Sequence, residues 1–196
     1  MAGPHIHPEA TVDETCRVWG NAIIRSGASI GAHTIVGSGA YIDTGVAIGS
    51  NCKVQNGAQV FFPAVVADGV FVGPLAILTN DRYPRAVNPN EVLKGPDDWH
   101  SVGVTVRSGA SIGAGAICVA PITVGRWAMV AAGSVAIRDV QDFELVAGNP
   151  AKHVGWVGRS GKRLTETDDN VWTCSLTDEV YFLDSNGKLT LRGKDD

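Results

Sequence analysis

The residue types best suited to chemistry are concentrated in one segment of this 196-residue sequence, residues 79–105. The segment combines hydrogen-bonding, aromatic and ionisable side chains, namely Asn80, Asp81, Arg82, Tyr83, Arg85, Asp97, Asp98, Trp99 and His100. Amides, carboxylates and guanidinium groups bind polar small molecules, and a histidine can accept a proton near neutral pH. A loop longer than about 12–15 residues inside a compact domain is usually functional or disordered. We therefore expect this segment to contain a binding or catalytic site.

The sequence on both sides of this segment follows a six-residue period. Every sixth residue of a first array is aliphatic: Ile6, Val12, Val18, Ile24, Ile30, Val36, Ile42, Ile48, Val54, Val60, Val66, Val72 and Leu78. A second array continues the pattern at Val106, Ile112, Cys118, Val124 and Val130. The step from Leu78 to Val106 is not a multiple of six, so the two arrays are out of phase with each other. Residues 79–105 are therefore an insertion between two repeat arrays.

A six-residue period fits a short strand followed by a turn, and three such units complete a triangular coil. Glycine recurs at the turn positions, where a positive φ or a missing Cβ is favoured. The spacing predicts an all-β fold, with a parallel β-helix over residues 1–140 and a C-terminal extension over residues 141–196. In the extension, two alternating runs flank Asn186 and Gly187. They predict a β-hairpin that packs against the end of the prism or a neighbouring chain.

Composition and charge exclude several classes of function. Apolar residues make up 44% of the chain, which argues against disorder, and the net charge of −4 gives no reason to expect nucleic-acid binding. No apolar run approaches the length of a membrane span, and the N-terminus does not resemble a signal peptide. Four scattered cysteines fit a reducing cytoplasm. A passive spacer would not need the insertion, and the outward positions lack the threonine rows of an ice-binding face.

Several segments resemble the hexapeptide acyltransferases, and more closely the nucleotide-sugar 3-N-acetyltransferases. The hexads and residues 148–152 (Gly-Asn-Pro-Ala-Lys) are shared across many acyltransferases, whereas residues 55–56 (Gln-Asn) and 79–85 (Thr-Asn-Asp-Arg-Tyr-Pro-Arg) are more discriminating. The resemblance implies a left-handed β-helix and a homotrimer with active sites between its subunits. It also implies acetyl-CoA as cosubstrate and a nucleotide-linked 3-amino sugar as acceptor, with dTDP more strongly indicated than UDP.

The resemblance also implies residues on the acceptor side of the site. Asn80 matches an asparagine beside the sugar amine, where its carbonyl can orient an N–H group; the alternative is an Asx turn that opens the loop. Gln55 and Asn56 match residues that face the groove, although they could be outward polar residues of the coil. Arg85 could pair with the diphosphate or brace the loop. The other acceptor-side candidates are Asp81, Tyr83 and Phe61.

Two positions depart from the family pattern. Gly57 stands where the family often has a second asparagine, and Phe61 stands where it often has an aromatic hydroxyl. Glycine has no side chain and the phenylalanine ring has no polar atom, so neither position supplies a side-chain hydrogen bond. The departures favour a less polar sugar, such as a 6-deoxyhexose without a carboxylate.

Coenzyme A runs along the outside of the prism in the family, where backbone amides at the coil turns can hold its pantetheine arm. The matching small residues here are Gly113, Ala114, Ala131, Ala132 and Gly133. Arg138 and Lys152 follow the last coils and could meet the coenzyme phosphates, or they could be solvated surface cations.

An acid–base residue is not required if the acceptor amine loses its proton to water and attacks directly. His100 is the candidate for a catalytic or acceptor-binding histidine, and the alternative is a surface histidine. No metal is expected, because Cys174 lacks a nearby cysteine and Ser160 stands where some relatives would carry one. Two other functions stay open: acylation of a different small acceptor at oxygen or nitrogen, and a non-catalytic structural β-helix.

Overall fold

The structure, a computed structural model, describes residues 2–193 and consists almost entirely of short β-strands. Three sheets form the walls of a triangular prism, because from β1 to β19 each strand pairs in parallel with the strands three places before and after it in sequence. Sheet 1 contains β1 (His5–Ile6), β4 (Ile23–Ile24), β7 (Tyr41–Ile42), β10 (Gln59–Val60), β13 (Ile77–Leu78), β16 (Ile117–Cys118) and β19 (Val135–Ala136). Sheet 2 contains β2 (Thr11–Val12), β5 (Ser29–Ile30), β8 (Ala47–Ile48), β11 (Val65–Val66), β14 (Val104–Val106) and β17 (Ile122–Val124). Sheet 3 contains β3 (Arg17–Val18), β6 (Ile35–Val36), β9 (Lys53–Val54), β12 (Phe71–Val72), β15 (Ser111–Ile112), β18 (Met129–Val130), β20 (Glu144–Gly148) and β21 (Ala151–Trp156).

The predicted parallel β-helix is confirmed, and its register follows the six-residue period. Val60 pairs with Ile42 below it and with Leu78 above it, so one coil consists of three hexads. The aliphatic residues of the hexads point inward and are buried from Ile24 onward. Ile6 is 40% exposed because the first coil has a neighbour on one side only. Branched aliphatic side chains suit these strands, since they pack well on a pleated surface.

The turns of the first array adopt a positive φ at nearly every sixth residue: Asn21, Gly27, His33, Gly39, Gly45, Asn51, Gly57, Gly69 and Leu75. Glycine and asparagine tolerate this conformation, which explains much of the glycine content. Three edges of the prism carry these turns. Turns after sheet 1 strands form the 1–2 edge, turns after sheet 2 strands form the 2–3 edge, and turns after sheet 3 strands form the 3–1 edge.

The insertion leaves the 1–2 edge between β13 and β14. Val66 pairs with Val106, and Leu78 pairs with Cys118. The sequence separation of these paired residues is much larger than the separation of three hexads between paired residues in the other coils. The insertion therefore lengthens the chain at one edge and leaves the pairing above and below unchanged. One 3-10 turn, Pro96–Asp98, lies in it. Within residues 2–193 no helix has the length and apolar character needed to cross a membrane.

The coil continues past Ala136, where the six-residue period ends. Val146 of β20 pairs with Val130, which precedes it by less than three full hexads, so the last coil is shorter than the others. Strand β21 then turns back antiparallel to β20, which the sequence did not predict. A separate antiparallel sheet follows, formed by β22 (Thr165–Asp168), β23 (Val171–Thr173), β24 (Val180–Leu183) and β25 (Leu189–Leu191). The predicted hairpin is confirmed as β24 and β25, while β22 and β23 were not expected.

The C-terminal sheet packs on the end of the prism through a second hydrophobic cluster. Its buried members are Phe143, Trp156, Leu164, Cys174, Tyr181 and Leu189. Trp127, which lies at the 2–3 edge, is packed against this cluster. The extension is therefore attached to the prism by aromatic contacts and by the pairing of β20 with β18.

Candidate active site

The inserted loop is closed at its base by two hydrogen bonds. The backbone N–H of Val102 donates to the carbonyl of Asn80 at 3.2 Å, which joins the two ends of the loop. The side-chain hydroxyl of Thr79 accepts the backbone N–H of Ala120 at 3.0 Å and ties the loop to the next coil. Residues near the base therefore sit on the rigid wall of the prism.

Asn80 and Asp81 have different roles where the inserted loop leaves the prism. Asp81 Oδ1 accepts the backbone N–H of Tyr83 at 2.8 Å, so the Asx turn that opens the loop belongs to Asp81. The Asn80 side chain is half-buried, and in the described part of the chain it has no hydrogen-bond partner. Its amide is therefore free to form hydrogen bonds with a ligand.

A cavity of about 240 Å³ lies under the loop. It is lined by Asp81, Arg82, Tyr83, Lys94, Asp98, Trp99, His100 and Val102. Three of the predicted acceptor-side and catalytic residues, Asp81, Tyr83 and His100, are thus brought together. Sequence reasoning missed Lys94, a half-buried cation that no motif marks. The volume is below the range of about 300–1,000 Å³ that is usual for small-molecule pockets, so this cavity alone is a small part of a site.

Arg85 lies outside this lining. Its guanidinium donates a hydrogen bond to the carbonyl of Pro84 at 2.9 Å, and its side chain is otherwise exposed. The contact supports the bracing alternative for Arg85. Phe61 lies at the 1–2 edge one coil below Thr79, with its ring centroid 5.6 Å from that of Tyr41.

Gln55 and Asn56 lie on the other side of sheet 1, at the 3–1 edge. They line a different cavity of about 330 Å³ together with Trp19 and Ser38. Asn56 Oδ1 accepts the backbone N–H of Ser38 at 2.9 Å, so this side chain also joins two coils. The sheet 1 wall therefore separates Gln55 and Asn56 from Asn80 within one chain.

The small residues predicted for coenzyme binding lie close together at the 3–1 edge on adjacent coils. The backbone N–H of Gly133 donates to the carbonyl of Ala114 at 2.8 Å. Ala132 and Gly133 are exposed, and a Cβ added to Gly133 would meet nothing within 4 Å. A Cβ added to Gly113, in contrast, would lie 2.4 Å from the backbone nitrogen of Ala132. Close stacking of the coils therefore requires Gly113, whereas the exposed backbone beside it is accessible to an extended ligand.

Arg138 is held by a buried carboxylate that the sequence reasoning missed. Its Nη2 lies 3.0 Å from Oε1 of Glu144, whose side chain is only 3% exposed. Glu144 also accepts the backbone N–H of Gln141 at 2.7 Å, and Nδ1 of His153 lies 3.3 Å from Oε1. The Arg138 side chain remains 48% exposed, so one side of it could meet an anion while the other is paired. Lys152 is exposed on β21.

Cys174 is surrounded by hydrogen-bond donors in the C-terminal sheet. Burial favours the neutral thiol, but the hydroxyls of Ser160 and Thr177 and the backbone amides of Leu176 and Thr177 outweigh it and lower the pKa of Cys174 to about 7. Ser160 Oγ lies 3.2 Å from Cys174 Sγ. Among residues 2–193, no group of three or more His, Cys, Asp or Glu side chains could hold a metal ion.

The lowered pKa of Cys174 predicts a pH-dependent contribution to stability. Between about pH 7 and the ordinary thiol pKa of 9.0, the folded protein has lost a proton that the unfolded chain keeps, so stability rises with pH. We expect the melting temperature of the native protein, relative to Cys174→Ser, to increase from pH 6.5 to pH 9. The increase should shrink in Ser160→Ala, which removes one donor. A difference that stays flat across this range would contradict the prediction.

Comparison with known proteins identifies the repeat. The hexapeptide repeat of succinyl-transferase matches residues 27–61 and 104–136, which lie in the two arrays on either side of the loop. The dTDP-3-amino-3,6-dideoxy-alpha-D-galactopyranose 3-N-acetyltransferase of Aneurinibacillus thermoaerophilus is 40% identical over 79 residues, or 40% of this chain and 41% of that relative. Serine acetyltransferase 4 of Arabidopsis thaliana is 35% identical over 103 residues, or 52% of this chain and 28% of that relative.

A solved structure agrees with the fold. The hexapeptide transferase family protein from Anaplasma phagocytophilum has a TM-score of 0.60 at 22% identity, covering 81% of this chain and 85% of that protein. The chain spans less than half the length of the two curated relatives. The matched segments and the register of the coils show that the chain contains hexapeptide repeats, and the two curated relatives to which parts of it are similar are named acetyltransferases.

Proposed function

We propose that this chain is an acyl-CoA-dependent N-acetyltransferase that acts on the 3-amino group of a nucleotide-linked sugar, with dTDP favoured over UDP. The observation that carries the proposal is the unpartnered amide of Asn80 at the base of the inserted loop, next to the described residues that line the loop cavity. The relative from Aneurinibacillus thermoaerophilus, named for a dTDP-3-amino sugar, supports the choice of acceptor.

The residues of the loop would orient the acceptor for direct attack. Acetyl-CoA would supply the acetyl group as a thioester. Asn80 Oδ1 accepts one N–H of the neutral amine, so that the nitrogen lone pair points at the thioester carbon. A C–N bond forms, the C–S bond breaks, and the proton lost by nitrogen passes to the released thiolate or to water. Ala132 and Gly133 offer exposed backbone along which the pantetheine arm could lie.

The separation of the acceptor-side residues supports a site shared between subunits. Asn80 and the Gln55-Asn56 pair lie at opposite edges of sheet 1, and a second protomer could bring copies of the two groups together. The outward residues of sheet 1 are largely apolar, including Ile23, Ile77, Ile117 and Val135. In the loop, Val92 and Leu93 are 59% and 76% exposed. We propose a homotrimer whose subunits bury these surfaces, and a cytoplasmic location that fits the four free cysteines of the described chain.

The decisive experiment measures thiol release from acetyl-CoA with three acceptors side by side. These are a dTDP-linked 3-amino-3,6-dideoxyhexose, a UDP-linked 3-amino sugar and free serine. We expect release with the dTDP-linked sugar in preference to the others. The absence of release with every amino sugar would overturn the proposal.

A second candidate function, O-acetylation of a small hydroxyl acceptor, is favoured by the match to Serine acetyltransferase 4 of Arabidopsis thaliana. The two reactions differ in their need for a base, because a hydroxyl is far less acidic than an ammonium group. Removing a general base costs about 10²–10⁴-fold in rate. The imidazole of His100 faces the loop cavity and could serve as that base.

His100→Gln distinguishes the two candidates. With the amino-sugar acceptor, we expect kcat to fall by less than tenfold, well short of the roughly 10²-fold loss that marks a missing base. The matched control is His5→Gln, at an exposed histidine on β1 outside the loop. A loss of about 10²-fold or more with an amine acceptor would contradict direct attack, and rapid turnover of serine would favour O-acetylation.

A further inference from the structure

Leu75 has an unusual backbone conformation for its residue type. It lies at the 3–1 edge with φ of 59°, in the left-handed region that a bulky side chain rarely adopts. Four corresponding turn positions of the same edge are glycines with positive φ: Gly39, Gly57, Gly115 and Gly133. The Leu75 side chain is 67% exposed, so burial does not compensate for the conformation.

Trp127 shows one way in which such strain is offset in this protein. It also has a positive φ, and its ring covers Gly109 of the preceding coil. Trp127, however, packs against the hydrophobic cluster of the C-terminal sheet. Leu75 belongs to neither hydrophobic cluster of residues 2–193. Packing within the chain therefore accounts for Trp127 but leaves Leu75 unexplained, and strained residues of this kind concentrate at functional sites.

The Leu75 side chain lies over Gly57. A Cβ added to Gly57 would be 2.7 Å from Cδ2 of Leu75, so the Leu75 side chain occupies space that a side chain at position 57 would need. The backbone N–H of Leu75 donates to the carbonyl of Asn56 at 3.0 Å. Leu75 therefore covers the position beside Gln55 and Asn56 with an apolar surface.

Leu75 also lies between two groups of predicted site residues. Gln55 and Asn56 lie one coil below it. The exposed backbone of Ala114, one of the residues predicted for coenzyme binding, lies one coil above it. The coil above is in direct contact, because the backbone N–H of Gly115 donates to the carbonyl of Pro74 at 2.8 Å. An acetyl group that moves from coenzyme A, bound along the coil above, to an acceptor bound at Gln55 and Asn56 would pass beside Leu75.

We propose that Leu75 is a specificity-determining residue that contacts an apolar substituent of the acceptor, such as the methyl group of a deoxysugar. The inference rests on the proposed N-acetyltransferase function. A hydroxyl or carboxylate placed against the Leu75 side chain would lose water without gaining a hydrogen bond, which penalises the more polar acceptor. The strained backbone is retained because glycine, the unstrained choice, would remove this contact.

The test compares kcat/KM for two dTDP-linked 3-amino sugars that differ only in a methyl or a hydroxymethyl group at C5. In Leu75→Gly we expect the preference for the 6-deoxy sugar to fall by about tenfold, the lower end of what one apolar contact discriminates. The melting temperature should rise, because glycine relieves the positive φ. Adding Gly57→Asn to Leu75→Gly should move the preference further toward the hydroxyl-bearing sugar, since asparagine tolerates this conformation.

Asn51→Gly is the matched control, since it relieves a positive φ at an exposed turn of the 2–3 edge. It should leave the preference unchanged. An unchanged preference in Leu75→Gly would overturn the proposal, as would dissociation of the oligomer in light scattering, which would assign Leu75 to a subunit interface. A native protein inactive with every amino sugar would instead overturn the proposed function itself, before any variant is compared.

Discussion

Asn80→Ala should lower kcat/KM for the amino-sugar acceptor by about 10²-fold, the cost of losing the geometry of one reacting group. The Asn80 side chain has no partner within the described residues, so its removal should leave the melting temperature unchanged within the error of the measurement. Steady-state kinetics by thiol release and a thermal melt of the same preparation check both parts.

Asn90→Ala is the control for this prediction, because Asn90 is an exposed asparagine of the same loop. It should keep the native rate. If Asn80→Ala turns over the acceptor at the native rate, the amine is oriented by another group and the proposed role of Asn80 is wrong.

Gly113→Ala should destabilise the fold by about 3 kcal/mol, the upper end of typical overpacking costs. The added Cβ would lie 2.4 Å from the nitrogen of Ala132 and 2.7 Å from the carbonyl carbon of Ala131. Both are backbone atoms of the next coil, so no side chain can rotate away. For a chain of this size we expect a melting temperature roughly 6–12 °C lower.

Gly115→Ala provides the comparison at the neighbouring turn position. A Cβ added there would meet nothing within 4 Å, although φ is 64°. The cost should be about 1–2 kcal/mol, from the backbone conformation alone. Equal stability of Gly113→Ala and the native protein would show that coil stacking does not require this glycine, and approach of a ligand to the backbone would then be its remaining explanation.

The walls of the prism could be predicted from the sequence because a single local rule generates them. An inward aliphatic residue every six positions sets both the strand and its partner, as in the pairing of Val60 with Leu78. At Gly113 the sequence predicted only the approach of a ligand to the backbone. The close stacking of the next coil on Gly113 is a finding of the structure, and it recurs at Gly31, Gly37, Gly49 and Gly73, which also follow an aliphatic position. The C-terminal strands β21 to β23 follow no such rule. Strands β21 and β23 each contribute a tryptophan to the cluster that contains Tyr181 and Phe143, residues far apart in the sequence, whereas β22 is exposed.

The position of the loop could be predicted because the insertion breaks the period, but its contacts could not. The buried carboxylate of Glu144 and its pairing with Arg138 depend on how the last, shortened coil closes. Nothing in the residues around Lys94 indicates that it lines the cavity with His100. The strain at Leu75 also escapes sequence reasoning, since leucine gives no sign of a positive φ.

The insertion at the 1–2 edge has an evolutionary consequence. Because the coils above and below it keep the same pairing, natural selection can lengthen, shorten or exchange this segment without rebuilding the wall. Under the proposed function, the loop that binds the acceptor can then diverge while the stacked coil backbone that binds coenzyme A stays unchanged. Under the proposed function, chains with this scaffold can therefore acquire new acceptors through changes in this loop. A chimaera that replaces residues 81–101 and keeps the hydrogen bonds of Thr79, Asn80 and Val102 should fold.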